Sequence, residues 1–296
     1  MTNDIAPLTE LARSLASQAK DGEEIEVFIS QGSDTEISVY KQEIEDMTTA
    51  NSTAVGIRII KDHREGSAWA ESLEDDVLSK TLANARENAS IAEPDEFAAL
   101  VRPSDIDGEA GEKRNGWDDT VLTTSLQDKI DLALELDKRA SVYDERIKDV
   151  PAASYEDGWG HGVMVNSHGI EVLHSSTSAS ASCSLMLGDE DPQESHGFVF
   201  SHGFSNLDLD ESVQMAFDRG VRLLGGTQPI SAKLPVIFDP LVTTQFFGII
   251  SGMLSGGAVA KGRALLADRL GDKIGHSNLT LIDDPLNEKS FSTSIY

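Results

Sequence analysis

The chain has 296 residues, 39% of them hydrophobic, with 24 Lys and Arg against 51 Asp and Glu and a formal net charge of -27. That length supports about two domains of the usual 100–200 residues. So acidic a surface repels phosphate backbones and argues against free nucleic acid as a partner, and no stretch approaches the roughly 20 apolar residues of a membrane span.

The N-terminal segment carries acids early and lacks an apolar core followed by a small-residue cleavage site, so a cytoplasmic protein is expected. Residues 5–19 predict an amphipathic helix through Leu8, Leu11, Leu15 and Ala16. The period then changes to two. Ile25, Val27 and Ile29 alternate with polar residues, Gln31–Asp34 reads as a turn, and Ile37 and Val39 resume the alternation, which predicts a hairpin. AVGIRIIKD and GSAWAES form a second pair joined by His63–Gly66. Ser72, with Asp75 three positions on, predicts a capping box opening a helix through Leu78, Leu82 and Ala85. Helix, antiparallel strands and helix together define an α+β unit over 1–92.

Residues 93–122 are rich in charge, proline and glycine and read as a connecting segment. A unit over 123–226 follows. It has a helix capped by Ser125 with Leu126, Ile130, Ala133 and Leu134 as its apolar stripe, then strand-like segments from Asp149 to Phe204, then a helix from Glu211 to Leu224. Over 227–296, KLPVIFDP reads as a buried strand, a glycine-interrupted helical run follows, and LTLIDDP is a last strand candidate. This third unit is expected to be incomplete. The fold class is therefore α+β, with antiparallel strand-rich units flanked by helices, and no repeat of fixed period is visible.

Seven histidines are available: His63, His161, His168, His174, His196, His202 and His276. None falls in HExxH, and no His/Cys pair has structural-zinc spacing. If Asn166–Gly169 forms a hairpin turn, His161 and His174 lie at comparable distances from it on opposite arms, as near neighbours across the ladder. Two surface histidines flanking a hairpin account for the same residues. The single cysteine, Cys183, excludes an internal disulfide, and its alternating surroundings read as a small buried position more readily than as a nucleophile. The glycine-rich Ser251–Gly257 lacks the endings of phosphate-binding loops. Close backbone packing, or backbone contact with an extended peptide at Ser255, Gly256 and Gly257, is the better use of it. No GxSxG elbow occurs, and the pair Asp283–Asp284 reads as surface.

Several segments taken together resemble the TldD/PmbA family. They are YKQEIEDMTTANSTAVGIRIIKDHREGSAWAES, GVMVNSHGIEVLHSSTSASASCSLML, and KLPVIFDPLVTTQFFGIISGMLSGGAVAKGRALLADRLGDKIG leading to LIDDP, in family order over residues 20–290. In the TldD kind, a helix after a PVVL-like strand carries a metal-binding HExxxH element. The resemblance places that element on Phe247–Gly252, where Phe247, Gly248 and Gly252 replace its ligands. No His or Glu occurs between Ser212 and Gly275, so no shift of register restores it.

This pattern is similar to the PmbA, or TldE, kind. The resemblance implies a heterodimeric peptidase that trims peptides, with zinc in a TldD-type partner and neither cofactor nor catalytic residue in this chain. A stand-alone peptide-binding or scaffold homo-oligomer is the other reading. Older descriptions of the family as modulators of DNA gyrase suggest a nucleic-acid partner, against which the charge argues.

Overall fold

The computed structural model describes residues 4–106, 116–284 and Phe291. The middle of the connecting segment, 107–115, lies outside them, as do the first three residues and the remaining residues after Asp284. The chain divides into a unit up to Gly226 and a second from Thr227 to Asp284.

The first unit contains α1 (Ala6–Ala16), β1 (Glu23–Tyr40), β2 (Glu43–Lys61), β3 (Arg64–Ala70) and α2 (Asp75–Ile91). After the connecting segment come α3 (Thr120–Thr123), α4 (Leu126–Val142), β4 (Ile147–Asn166), β5 (Glu171–Leu187), β6 (Gln193–Ser201) and α5 (Leu209–Leu223). All six strands form one sheet in the order β3-β2-β1-β4-β5-β6, and every neighbouring pair is antiparallel. The α+β expectation holds. The sequence segments 1–92 and 123–226 each give three strands to this one sheet.

β1 runs straight through Gln31–Asp34, where the sequence predicts a turn. Those four residues pair with Ala50–Thr53 of β2 on one side and with Gly158–His161 of β4 on the other, so their backbone groups are satisfied in the ladder. Gly32 is needed there for close approach, because a Cβ would sit 2.7 Å from the Trp159 carbonyl oxygen. The turns lie elsewhere. Lys41–Gln42 (φ 52° and 62°) and Asp62–His63 (φ 50° and 60°) have the two left-handed residues of tight hairpin turns. Arg64–Gly66 therefore belongs to β3 and not to its connection. Pro151, inside the central strand β4, falls where the β4–β5 register shifts between Asp149 and Ala152, the kind of irregularity that tolerates a missing N–H.

The odd-numbered residues of β1 and β4 face the helices. Ile25, Val27, Ile29, Ile37, Val39, Ala153, Tyr155 and Val163 are fully buried. α1 and α2 pack Leu8, Ala12, Leu15, Leu78, Leu82 and Ala85 against one half of this face. α4 and α5 cover the other half through Leu136, Ala140, Val213 and Ala216. Glycines set two of these contacts. A Cβ on Gly66 would run into Ala89 of α2, and one on Gly197 into Ser212 of α5, so both edge strands need glycine where a helix crosses them.

Helix ends and faces differ in detail from the sequence reading. Ser72 accepts from the Glu74 amide at 3.2 Å, but α2 starts after Glu74, which makes no side-chain cap. Ser125 does cap α4, accepting from the Asp128 amide at 3.2 Å. The stripe on α4 is rotated from the one predicted. Leu126 is exposed, and the buried positions are Lys129, Ala133, Leu136, Asp137 and Ala140. Two charges thus take places the pattern gave to apolar groups, because each has a partner. Asp137 accepts from the Gln42 amide (2.9 Å) and Nε2 (2.7 Å), fixing the β1–β2 turn to α4. Lys129 pairs with Asp157 of β4 and donates to the Val121 carbonyl at 3.0 Å, while Tyr155 Oη donates to Asp157 Oδ2 at 2.6 Å. Burial first, and Asp157 second, push the Tyr155 phenol up, so it remains a donor.

The second unit holds α6 (Pro240–Met253), α7 (Gly256–Ala260) and a 3₁₀ turn at Ala267–Arg269. Asp239 caps α6 by accepting from the Leu241 amide at 2.9 Å, with Pro240 in the first turn. KLPVIFDP and the described part of LTLIDDP, 279–284, are not strands: Ile237 is 97% exposed and Ile282 74%. A strand needs a neighbour to take its N–H and C=O groups, and among the described residues this unit offers none.

Two outcomes follow from the buried charges. Lys129→Met leaves Asp157 buried without its cation, and should lower the unfolding free energy in urea by roughly 3–5 kcal/mol. Lys129→Met with Asp157→Asn keeps an acceptor for Tyr155 and should recover most of that loss; equal losses in both would mean that packing, not unpaired charge, sets the cost. At the sheet end, burial works to raise the Glu24 carboxyl, but the Leu100 amide, Arg102 and His168 outweigh it and hold it below its ordinary value. Arg13 does the same to Glu171 by hydrogen bonding, against desolvation. Folded carboxyls that titrate below the ordinary value of about 4.3 contribute stability that is complete above it and lost as pH falls through the folded value. Glu24→Gln should flatten the fall in urea stability between about pH 5 and pH 3.

Candidate functional site

The residues of the lost metal element and of the glycine-rich segment lie on the second unit. Phe247, Gly248 and Gly252 are on α6; Gly248 and Gly252, four apart, share a face of it, and a Cβ added at either would meet nothing within 4 Å. There is room for ligating side chains at these positions, yet a phenyl ring and two hydrogens offer no nitrogen, oxygen or sulfur. This donor set does not fit a zinc ion. Among the described residues no three His, Cys, Asp or Glu side chains are grouped to hold a metal. Ser255 precedes α7 as its N-cap residue, and Gly256 and Gly257 form its first turn, so all three are exposed on a short helix and not on an extended segment.

The histidine pair is separated by register. His161 stands opposite Ser175 and His174 opposite Gly162, so the two histidines occupy opposite faces of the sheet. His161 is buried on the covered face, with Nδ1 2.7 Å from Ser175 Oγ and its ring stacked on Trp117 at 5.2 Å between centroids. Burial lowers its pKa, against a small opposing effect of Asp4. Cys183 is also buried. Burial pushes its thiol up to about 11, against a weaker effect of Ser212, so it is not a thiolate at neutral pH.

What the sequence did not single out is the other face of the six-stranded sheet. Its middle has none of the helices of the first unit over it and is built from the even-numbered residues of β1, β4 and β5. A depression of about 450 Å³ crosses it. The register lays one row over it: Thr48 of β2, Glu36 of β1, Glu156 of β4, Ser180 of β5 and Phe200 of β6. A parallel row runs Ala50, Asp34, Gly158, Ser178. Gly158 makes room for the neighbouring carboxylate, since a Cβ there would sit 2.5 Å from Asp34 Oδ1. Glu36 and Glu156 are directly opposite each other, a pairing that like charges make unfavourable. Neither they nor Asp34 forms an ion pair among the described residues. Chemically, this floor can hold cations and hydrogen-bond donors. The only trace of it in the sequence is the pair Asp34 and Glu36 at alternate positions; that Glu156 joins them depends on the β1–β4 register.

Residues 25–89 match PmbA/TldA metallopeptidase domain 1, 119–224 the central domain, and 231–296 the C-terminal domain. Metalloprotease PmbA of Escherichia coli O157:H7 is 28% identical over 277 residues, 93% of this chain and 60% of that protein. The Metalloprotease PmbA homolog of Haemophilus influenzae is 27% identical, over 92% of this chain and 59% of its own. The chain thus spans about three fifths of the length of these relatives. In fold it is similar to a Bacteroides thetaiotaomicron protein described in connection with modulation of DNA gyrase (TM-score 0.83, 24% identity, 93% of this chain and 63% of that one). It is also similar to TldE from Thermococcus kodakarensis (TM-score 0.68, 21% identity, 89% and 57%). With all three domains matched in order, the chain belongs to the PmbA/TldD metallopeptidase family.

Proposed function

We propose that this chain is the metal-free, TldE-like subunit of a cytoplasmic heterodimeric peptidase, in which a TldD-type partner supplies zinc and the general base. One observation carries the reading: the whole stretch between Ser212 and Gly275, which includes α6, contains neither His nor Glu, and the resemblance sets Phe247, Gly248 and Gly252 against the His, Glu and His of the metal-binding kind. A metal-activated water needs ligands and a nearby base to take its proton. The contribution of this chain is then to enclose and hold a peptide, for which main-chain hydrogen bonds suffice. No helix among the described residues is long and apolar enough to cross a membrane, which is compatible with that setting.

Exposed apolar groups on the second unit are compatible with a chain that works in an assembly. Ile237, Phe246, Ile249 and Leu270 are all open to solvent there, and such patches mark surfaces that are covered in the working assembly. The test is co-expression with a TldD-type protein, followed by affinity capture, native mass measurement and elemental analysis. The expected result is a mixed complex whose zinc stays with the partner, while the isolated chain carries no stoichiometric metal and leaves peptides uncut. A homo-oligomer that ignores the partner would support the scaffold reading, and chelator-resistant peptide cleavage by the isolated chain would refute both.

A further inference from the structure

The outer edge of β2 is paired along only part of its length. β3 pairs with Val55–Lys61, so along Glu43–Ala54 the side of β2 away from β1 meets no strand among the described residues. An antiparallel strand points alternate N–H and C=O groups to each side, so this edge is a row of unused donors and acceptors. Proteins ordinarily blunt such an edge with lysine, proline or a bulge. From Met47 to Ala54 the sequence MTTANSTA contains no charge and no proline, and the pairing with β1 is unbroken there. It is also rich in threonine, which suits an extended backbone.

This edge adjoins the acidic floor. Thr48 and Ala50, on the open face of β2, are the direct neighbours of Glu36 and Asp34. We infer that the Met47–Ala54 edge of β2 accepts an extended peptide as a seventh strand, and that the peptide carries Lys or Arg at alternate positions. An added strand lies about 4.8 Å from β2, which places it roughly 10 Å from β1. A long basic side chain can lay its stem across the small Thr48 or Ala50 and bring its charge to Glu36 or Asp34. Alternate positions are required because only every second residue of the added strand faces that side. The unfavourable Glu36–Glu156 pairing is relieved by the incoming cation. A second copy of this chain is the poorer occupant, since it brings Glu43, Glu45 and Asp46 of its own edge, and a charge of -27, toward the same carboxylates.

This inference rests on the peptide-holding part of the function proposed above, but its test uses neither a partner nor a metal, so failure here leaves the capture experiment to judge the subunit reading. Fluorescent peptides of alternating Lys and Thr, and of alternating Glu and Thr, are titrated with the purified chain at low salt, with anisotropy as readout. The Lys-Thr peptide should bind saturably and the Glu-Thr peptide should not. Asp34→Asn with Glu36→Gln should weaken the Lys-Thr peptide roughly tenfold. N-methylation of alternate residues should abolish binding in one phase and spare it in the other, because only one set of N–H groups faces β2. No binding of the Lys-Thr peptide, equal binding by the doubly substituted chain, or indifference to both methylation phases would overturn the inference. So would sedimentation showing a chain dimer that excludes the peptide.

Discussion

The pairing of β1 with β4 is the constraint on which the rest of the first unit depends. Each is a long strand, each is the first strand of its half, and they run antiparallel from Glu26–Asn166 to Val39–Ala153. Because the register pairs even residues with even and odd with odd, the apolar positions of both strands fall on the same face. All the helices then find their core on that face. A slip of one residue would send Ile25, Val27 and Ile29 to one side and Tyr155, Val163 and Val165 to the other, and neither half could be covered. This pairing also makes the open face acidic, by setting Glu36 against Glu156 and Asp34 over Gly158.

Around that pair the unit is doubled. Helix, three strands, helix occurs once as α1, β1, β2, β3, α2 and again as α4, β4, β5, β6, α5, with the sheet order mirrored about its centre. Both third strands carry a glycine, Gly66 or Gly197, under the helix that closes the half. No repeat of fixed period is visible in the sequence because the doubling constrains geometry and not residue identity. Apolar alternation, two short connections and one glycine per half are enough to specify the same path with different side chains.

Local chemistry made much of this fold legible. The helix near the N-terminus, the capped α4 and the alternating segments of β5 and β6 announce themselves by period and cap. The misreadings share one cause, which is that a residue's neighbours across the sheet are absent from its neighbourhood in the chain. Gln31–Asp34 has turn-forming residues, yet ladders on both sides hold it extended. Lys129 and Asp137 interrupt an apolar stripe, yet each finds a partner distant in sequence. His161 and His174 sit symmetrically about a turn, yet one residue of register puts a sheet between them. That neither His nor Glu lies between Ser212 and Gly275 is read directly from the chain and needs no coordinates.

Asp157 and Glu156 show how the two faces of one strand handle charge. Asp157 is buried, and two groups answer it: the Lys129 ammonium and the Tyr155 hydroxyl. Glu156, the residue before it, faces another carboxylate with no cation at hand among the described residues. Composition alone does not force this difference, since cations elsewhere meet acids of the sheet: Arg58 reaches Glu26 and Glu65, and Arg102 of the connecting segment reaches Glu24. Burial explains why Asp157 must be answered, because an unpaired charge in a core is costly. Exposure explains why Glu36 and Glu156 are tolerated, because water screens them at small cost. Tolerance is not a reason for their presence. Side chains that break a local rule without a compensating contact are expected at functional or strained sites.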